Sequence, residues 1–285
     1  MPGSIRERVM SRGEARSRGA MRVGAALIAL LALFAVAGPW FSPYSYRALD
    51  WRHLAVPPGL IASHWLGTDA LGRDLYVRTL YGLRLSLVIG GLASAVSVLI
   101  GVSWGMLAGW AGGRIDAWMM RVVDVLYALP YLFIVLILTA MLGRGNLTVL
   151  LLAIGAVGWL TLARVVRAQT LSLKRREFIE AARATGLSPR QILWRHVLPN
   201  LAGTLVAYST LLVPQMIVYE SFLSFLGLGV EPPRASLGSL INAGARQMLT
   251  APWLLLVPAV VLVVLLLAFN LLGDGLRDVF DPSGR

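Results

Sequence analysis

The 285-residue sequence has no cysteine, one lysine and three histidines, and only 14% of it is charged. Each shortage removes a class of function. Without cysteine there is no disulfide and no thiolate metal site, and the redox compartment is left open. His53, His64 and His196 form no His-x-x-x-His pair for zinc, and no Gly-x-Ser-x-Gly elbow presents a serine nucleophile. The lone lysine, Lys174, is followed by Arg175 and closes no Gly-x-x-x-x-Gly-Lys-Ser/Thr loop, so the chain carries no P-loop for ATP. Asp124 and Asp274 could be set together as an intramembrane aspartyl pair. Such a pair must share one buried site, whereas Asp274 is expected beyond the last span among loop glycines. The chain is not expected to be an enzyme.

What is abundant is apolar. Hydrophobic residues make up 57% of the chain, too many for a soluble domain of this length. A bilayer core demands roughly 18 or more apolar residues of a helix, and six runs qualify, near 22–41, 85–109, 118–142, 147–166, 201–226 and 252–272. The expected fold class is an all-α polytopic membrane protein with six transmembrane helices. The net charge of +12 does not call for nucleic acid, because the basic residues sit in loops beside apolar spans and not on one soluble face. With the N-terminus inside, most of the 26 basic residues fall in inner segments, as the positive-inside rule requires. Both termini and residues 177–200 are then cytoplasmic. Ala35-Val36-Ala37 resembles a signal-peptidase site, but the apolar run is long for a signal sequence and Pro39 follows almost at once, so the span is expected to stay.

In chain order, 1–21 reads as a disordered cytoplasmic tail and 22–41 as the first span. Residues 42–84 follow as an extracytoplasmic segment, then a five-helix core over 85–274 with a long connection at 168–200, and a cytoplasmic tail over 275–285. Within the extracytoplasmic segment, Leu66-Gly67-Thr68-Asp69 and Leu71-Gly72-Arg73-Asp74 predict two turns, glycine supplying the backbone angles and aspartate bonding nearby amides. His64, Asp69 and Asp74 match no zinc or calcium spacing and are expected to be structural, with no metal. From Leu75 to Leu85 the pattern is helical.

Gly101, Gly105 and Gly109 recur every four residues, a face for close helix packing within the subunit or with a partner. Pro130 predicts a kink in the third span, and Asp124 an ion pair with Arg121 one turn away. The fifth span is the most polar, with Gln215, Tyr219, Glu220, Ser221 and Ser224. Either these groups border a translocation path, for which Gln215, Tyr219 and Glu220 are the candidates, or they satisfy one another across a helix contact. Leu237, Leu240, Ile241, Ala245, Met248 and Leu249 predict an amphipathic helix in the outer interface.

Residues 177–200 are the longest polar, helix-forming insert between two spans. They predict two short helices. Gly186 ends the first in a left-handed conformation, Ser188 caps the second with Pro189 at its first position and Gln191 completing the box, and Pro199 is expected to stop it. Connections this long between membrane spans are usually functional.

Glu180-Ala181-Ala182, three residues, Gly186, nine residues and then His196-Val197-Leu198-Pro199 resemble the EAA loop of ABC-importer permeases. Histidine at 196, where the general pattern has isoleucine, resembles the dipeptide, oligopeptide and nickel branch. His64 to Asp74, Glu220 with residues 223–229, and residues 270–282 support the same branch, in which the chain looks like the C-type permease. The resemblance implies a type I ABC-importer permease fold in a bacterial or archaeal plasma membrane. It implies a homologous B-type permease, two ABC ATPase subunits and an extracytoplasmic solute-binding protein as partners, with no nucleic acid. It assigns ATPase coupling to Glu180, Ala181, Ala182, Gly186, Pro189, His196, Leu198 and Pro199, and leaves ATP and magnesium on the partner subunits. The implied cargo is a di- or oligopeptide; a nickel chelate, glutathione or another small solute is the alternative, and a passive channel a distant one.

Overall fold

A computed structural model of the chain describes residues 3–61, 63–142 and 147–280. Its elements are α1 (Gly3–Ala37), α2 (Leu75–Ala111), α3 (Gly113–Ala128), α4 (Tyr131–Leu142), α5 (Leu147–Leu173), α6 (Glu177–Ala184), α7 (Pro189–Ile192), α8 (Leu198–Phe225), α9 (Leu237–Ala245) and α10 (Trp253–Phe280). The sole strand-like pairing among the described residues is an isolated bridge between Thr68 and Asp74. Five helical stretches there are long and apolar enough to cross a membrane, formed by α1, α2, α5, α7 with α8, and α10.

The stretch expected as the third of six spans, 118–142, is two helices in series, of 16 and 12 residues. Leu129 between them is extended, with φ −78° and ψ 133°, because the ring of Pro130 disfavours helical backbone at the residue before it. The expected kink is therefore a full break. α3 is tied to α5 by two ion pairs. Arg167 grips Asp116 with both Nε and Nη2, at 2.5 and 2.6 Å, and Arg164 Nη2 lies 2.8 Å from Asp124 Oδ1. Asp124 thus pairs across helices with Arg164, and not with Arg121 one turn away.

The glycine face is internal. A Cβ at Gly101 would stand 2.9 Å from the Trp159 carbonyl oxygen, at Gly105 2.5 Å from that of Ala163, and at Gly109 2.8 Å from that of Arg167. These rising pairs make α2 and α5 parallel neighbours in backbone contact, and α3 and α4 carry the chain back between them. α8 runs antiparallel to α2, with Ser86 opposite Glu220 and Gly90 opposite Ile217. α10 runs antiparallel to α1, with Gly24 against Ala268 and Gly275 against Met21.

Three ends differ from expectation. α1 is helical from Gly3, so residues 3–21 join the first span without a coil. α2 starts ten residues before the expected span, at Leu75, where the Asp74 carboxylate accepts the Val77 amide at 2.8 Å. α10 runs on through Gly273, Asp274 and Gly275 to Phe280. Gly273 lies against Leu211 and Gly275 against Met21, so these glycines serve close packing and do not end the helix. Residues 281–285 of the expected tail lie outside the described residues.

Residues 42–74 form a folded strap on the start of α2. Gly67 and Gly72 have φ of +78° and +72°, and Asp69 Oδ1 accepts the amides of Leu71 and Arg73 at 2.9 and 3.0 Å, which are the two expected turns. A Cβ at Gly72 would stand 2.0 Å from the Asp50 carbonyl oxygen. Arg84 closes the junction by donating to the Ala35 and Val36 carbonyls that end α1. α9 does not lie against lipid by an apolar face alone: Leu237, Gly238, Leu240 and Gly244 are buried against α8 and α10, with Gly244 on the Leu254 backbone and Gly238 on Ser221.

Candidate coupling surface and route-facing residues

The segment after α5 turns back under the bundle, and its fold follows from local rules. α6 ends in paired reversed bonds, Gly186 N–H to the Arg183 carbonyl at 3.0 Å and Leu187 N–H to the Ala182 carbonyl at 3.2 Å. Gly186 sits at φ +82° with open space where a Cβ would be, so its conformation, and not crowding, demands glycine. Ser188 and Gln191 then exchange the two bonds of a capping box, with Pro189 in the first turn. Pro199 does not stop the second helix. A π-helical turn, Leu193–Val197, passes the chain into α8, with Leu198 N–H bonding back to the Leu193 carbonyl. Asn200 Nδ2 donates to the His196 carbonyl at 2.6 Å. The wider turn and this side-chain donor absorb the proline, which has no N–H to offer.

One side of the segment belongs to the core. Ile179, Ala182, Ile192 and Val197 are buried in the same apolar cluster as α2, α5 and α8, with Leu187 and Leu193 packed on it. Its position is fixed from above by Trp110 at the end of α2. The Arg183 guanidinium lies 5.0 Å and Lys174 Nζ 5.6 Å from that ring, and Lys174 Nζ donates to the Trp110 carbonyl. The helix pair is thus clamped to the bundle, not suspended from it.

The other side is open. Glu180, Ala181, Gly186, Pro189 and Pro199 are exposed, and two large apolar side chains stand out with them, Phe178 at 40% and Trp194 at 60% exposure. Among the expected coupling residues, His196 and Leu198 are half-buried and Ala182 is buried. Ala182 therefore allows close approach to the chain's own core, and Ala181 alone of the two alanines faces outward. Phe178 and Trp194 were not expected in this surface. Their exposure had no local signal, since Phe178 lies one turn before the buried Ala182 and Trp194 falls in the π-helical turn.

The three route candidates separate. Gln215 is exposed and donates to Tyr219 Oη at 2.9 Å, one turn along the same face. Glu220 is fully buried. Its Oε2 accepts Ser86 Oγ at 2.8 Å and its Oε1 accepts Ser224 Oγ at 2.7 Å, and Ser86 Oγ accepts the Leu237 amide at 3.3 Å. Glu220 therefore joins α2, α8 and the start of α9 and does not border open space, which corrects its place among the path residues. The cross-helix reading of the fifth span holds for Glu220, which bonds Ser86 of α2, whereas Ser221 and Ser224 bond it from its own helix.

Residues 101–285 match the family of binding-protein-dependent transport system inner membrane components, and residues 15–58 match the N-terminal transmembrane domain of oligopeptide transport permease C. The chain belongs to this family of inner membrane components. It is 46% identical over 259 residues to the oligopeptide transport system permease protein OppC of Haemophilus influenzae, covering 91% of this chain and 83% of that one. It is 48% identical over 259 residues to OppC of Escherichia coli, covering 91% and 85%. It is 44% identical over 264 residues to the dipeptide transport system permease protein DppC of Bacillus subtilis, covering 92% and 82%. A chain of the inward-facing MetNI methionine ABC transporter shares the fold, with a TM-score of 0.59, 19% identity and coverage of 72% of this chain and 96% of that one. The inner membrane component thus has the helical ABC-importer permease architecture, with the match extending to the first span and the start of the strap.

Proposed function

We propose that this membrane component is one of two permease subunits of an ATP-driven importer of oligopeptides, paired with a homologous B-type permease. Identity of 46–48% to OppC proteins over nine-tenths of the chain is the observation that carries the peptide reading, with dipeptides as the nearer variant. A nickel chelate, glutathione or a passive channel finds no support in these relatives. ATP and magnesium reside on two partner ATPases, since this chain has no P-loop, and an extracytoplasmic binding protein delivers the peptide.

In this reading the outward side of 177–200 docks in the ATPase. The antiparallel α1 and α10, and Lys174 and Arg183 against Trp110 at the end of α2, put both helical termini and the coupling segment at one end of the bundle, which supports taking that end as the cytoplasmic one. Closure of the ATPases pushes on Glu180, Ala181, Pro189 and Trp194. The clamped inner side passes the movement to α2, α5 and α8, because packed interiors shift as units. Gly186 holds the angle between α6 and α7, and the π-helical turn containing His196 joins α7 to the route-lining α8. Gln215 and Tyr219 border the peptide path.

Purification of the complex in detergent tests the assembly: P-loop subunits and a second permease should accompany the chain, and recovery of this chain as a conducting homo-oligomer would overturn it. Mass spectrometry of the cargo on the cognate binding protein should find peptides, and a metal chelate there would replace the peptide reading. Cysteine at 215 should react with aqueous thiol reagents in at least one nucleotide state; if it never reacts, the path does not pass Gln215.

A further inference from the structure

The strap over residues 42–74 gathers Asp50, His53 and His64, whose donor atoms lie within 4.8 Å of one another. Asp50 Oδ2 is 2.8 Å from His53 Nδ1 and 3.5 Å from His64 Nε2. Zinc held at 2.0–2.1 Å in a tetrahedral site places its donors about 3.3 Å apart, and the two spacings through Asp50, 2.8 and 3.5 Å, bracket that value.

His64 carries the decisive feature. The residue is 1% exposed, yet its Nε2 has no hydrogen-bond partner. Its other nitrogen, Nδ1, meets Asp74 Oδ2 at 2.9 Å, and the side chain of Asp74 is 1% exposed. A carboxylate at Nδ1 fixes the proton there and leaves Nε2 as a lone pair. That nitrogen lies 3.5 Å from an oxygen of Asp50, a second electron-rich atom. Tyr44 stacks on the ring at 4.1 Å, and Asp74 is itself held by the Val77 amide, so the imidazole cannot readily turn away. Asp50 and His53 are partly exposed, with side-chain values of 24% and 37%, which leaves an entry path and room for a water as fourth ligand.

We propose that Asp50, His53 and His64 bind a divalent first-row transition ion of the zinc type, with Asp74 as the carboxylate that orients His64. Two neutral imidazoles and one carboxylate are the borderline donors such ions prefer. The two carboxylates, Asp50 and Asp74, balance the ion's charge. Because Asp74 also caps α2, the ion would pin the strap to the start of the helix that packs on α5 and α8. Thr68 and Asp69 hold the rest of the strap without it.

The test uses the assembled complex, purified on a histidine-free tag, stripped with chelator and free of nucleotide. Zinc is titrated against a chromophoric chelator for the wild type and for His53→Ala, Asp50→Ala and Asp74→Asn, with bound metal counted by elemental analysis. His53 and Asp50 are partly exposed, so their variants keep the fold, which thermal melting verifies. Wild type should hold one more zinc per chain than His53→Ala or Asp50→Ala, with affinity at the site lowered at least about tenfold in each, and about ten- to a hundredfold in Asp74→Asn. Equal zinc content in wild type and both ligand variants, or affinities within a few-fold of one another, would overturn the site and would leave the peptide-permease reading untouched.

Discussion

The two polar segments at opposite ends of the bundle solve the same problem differently. The 42–74 strap spends most of its side-chain hydrogen bonds on itself and on the start of α2. Asp69 serves three groups of its own turn, Thr68 Oγ1 joins the His53 carbonyl and the Val56 amide, and Asp74 serves His64 and the start of α2. The 177–200 segment satisfies its backbone by caps but directs Glu180, Phe178 and Trp194 outward, where none is buried by its own chain. A segment that consumes its own polar groups stabilises a fold. A segment that is rigidly anchored on one side and leaves charge and aromatic surface on the other has the form that the proposed docking to the ATPase requires.

Substitutions at the two ends should therefore fail in different ways. The largest effect is expected for Gly186→Pro, since proline requires φ near −65° and the site holds +82°. Peptide uptake in proteoliposomes should fall to background while the complex still inserts in the membrane. Next is Asp74→Ala at the opposite end, which removes a helix cap and strands a buried histidine nitrogen. It should lower stability by roughly 2–4 kcal/mol, read as a fall in the thermal midpoint, with coupling per folded complex retained. Trp194→Ala should weaken retention of the ATPase during gel filtration and change the stability of the permease itself by no more than about 0.5 kcal/mol, as expected of an exposed site. Gly186→Ala is the mildest. The space is open, so only the left-handed backbone costs, about 1 kcal/mol, and uptake should be reduced but measurable.

Local chemistry was the legible part of the sequence. The turns at Gly67 and Gly72, the box at Ser188 and Gln191, the left-handed Gly186 and the four-residue glycine spacing each depend on neighbours a few positions away, and each stands where expected. What depends on distant residues was not legible. Arg164 and Arg167 choose their aspartates across a helix interface, and Gly273 and Gly275 read as loop residues until α1 and Leu211 are seen against them. Pro199 read as a stop because nothing local announces a π-helical turn. The burial of Glu220 was within reach: it lies about 140° around α8 from Gln215, while Tyr219 shares the Gln215 side, so one polar stripe was in fact two. The pairing of Asp50 with His53 and His64 needed the strap to fold before the first and last of them could meet.

The absence of cysteine gives direct access to the difference between the two ends. With single cysteines introduced as Ala181→Cys and Leu60→Cys, both at exposed positions, a short bifunctional thiol reagent can be applied to the complete complex carrying cysteines in the ATPase groove. Cross-linking from position 181 to the ATPase, changing with nucleotide, and none from position 60, is the expected result. Cross-linking to the ATPase from position 60 and none from position 181 would contradict the assignment of residues 177–200 as the coupling segment.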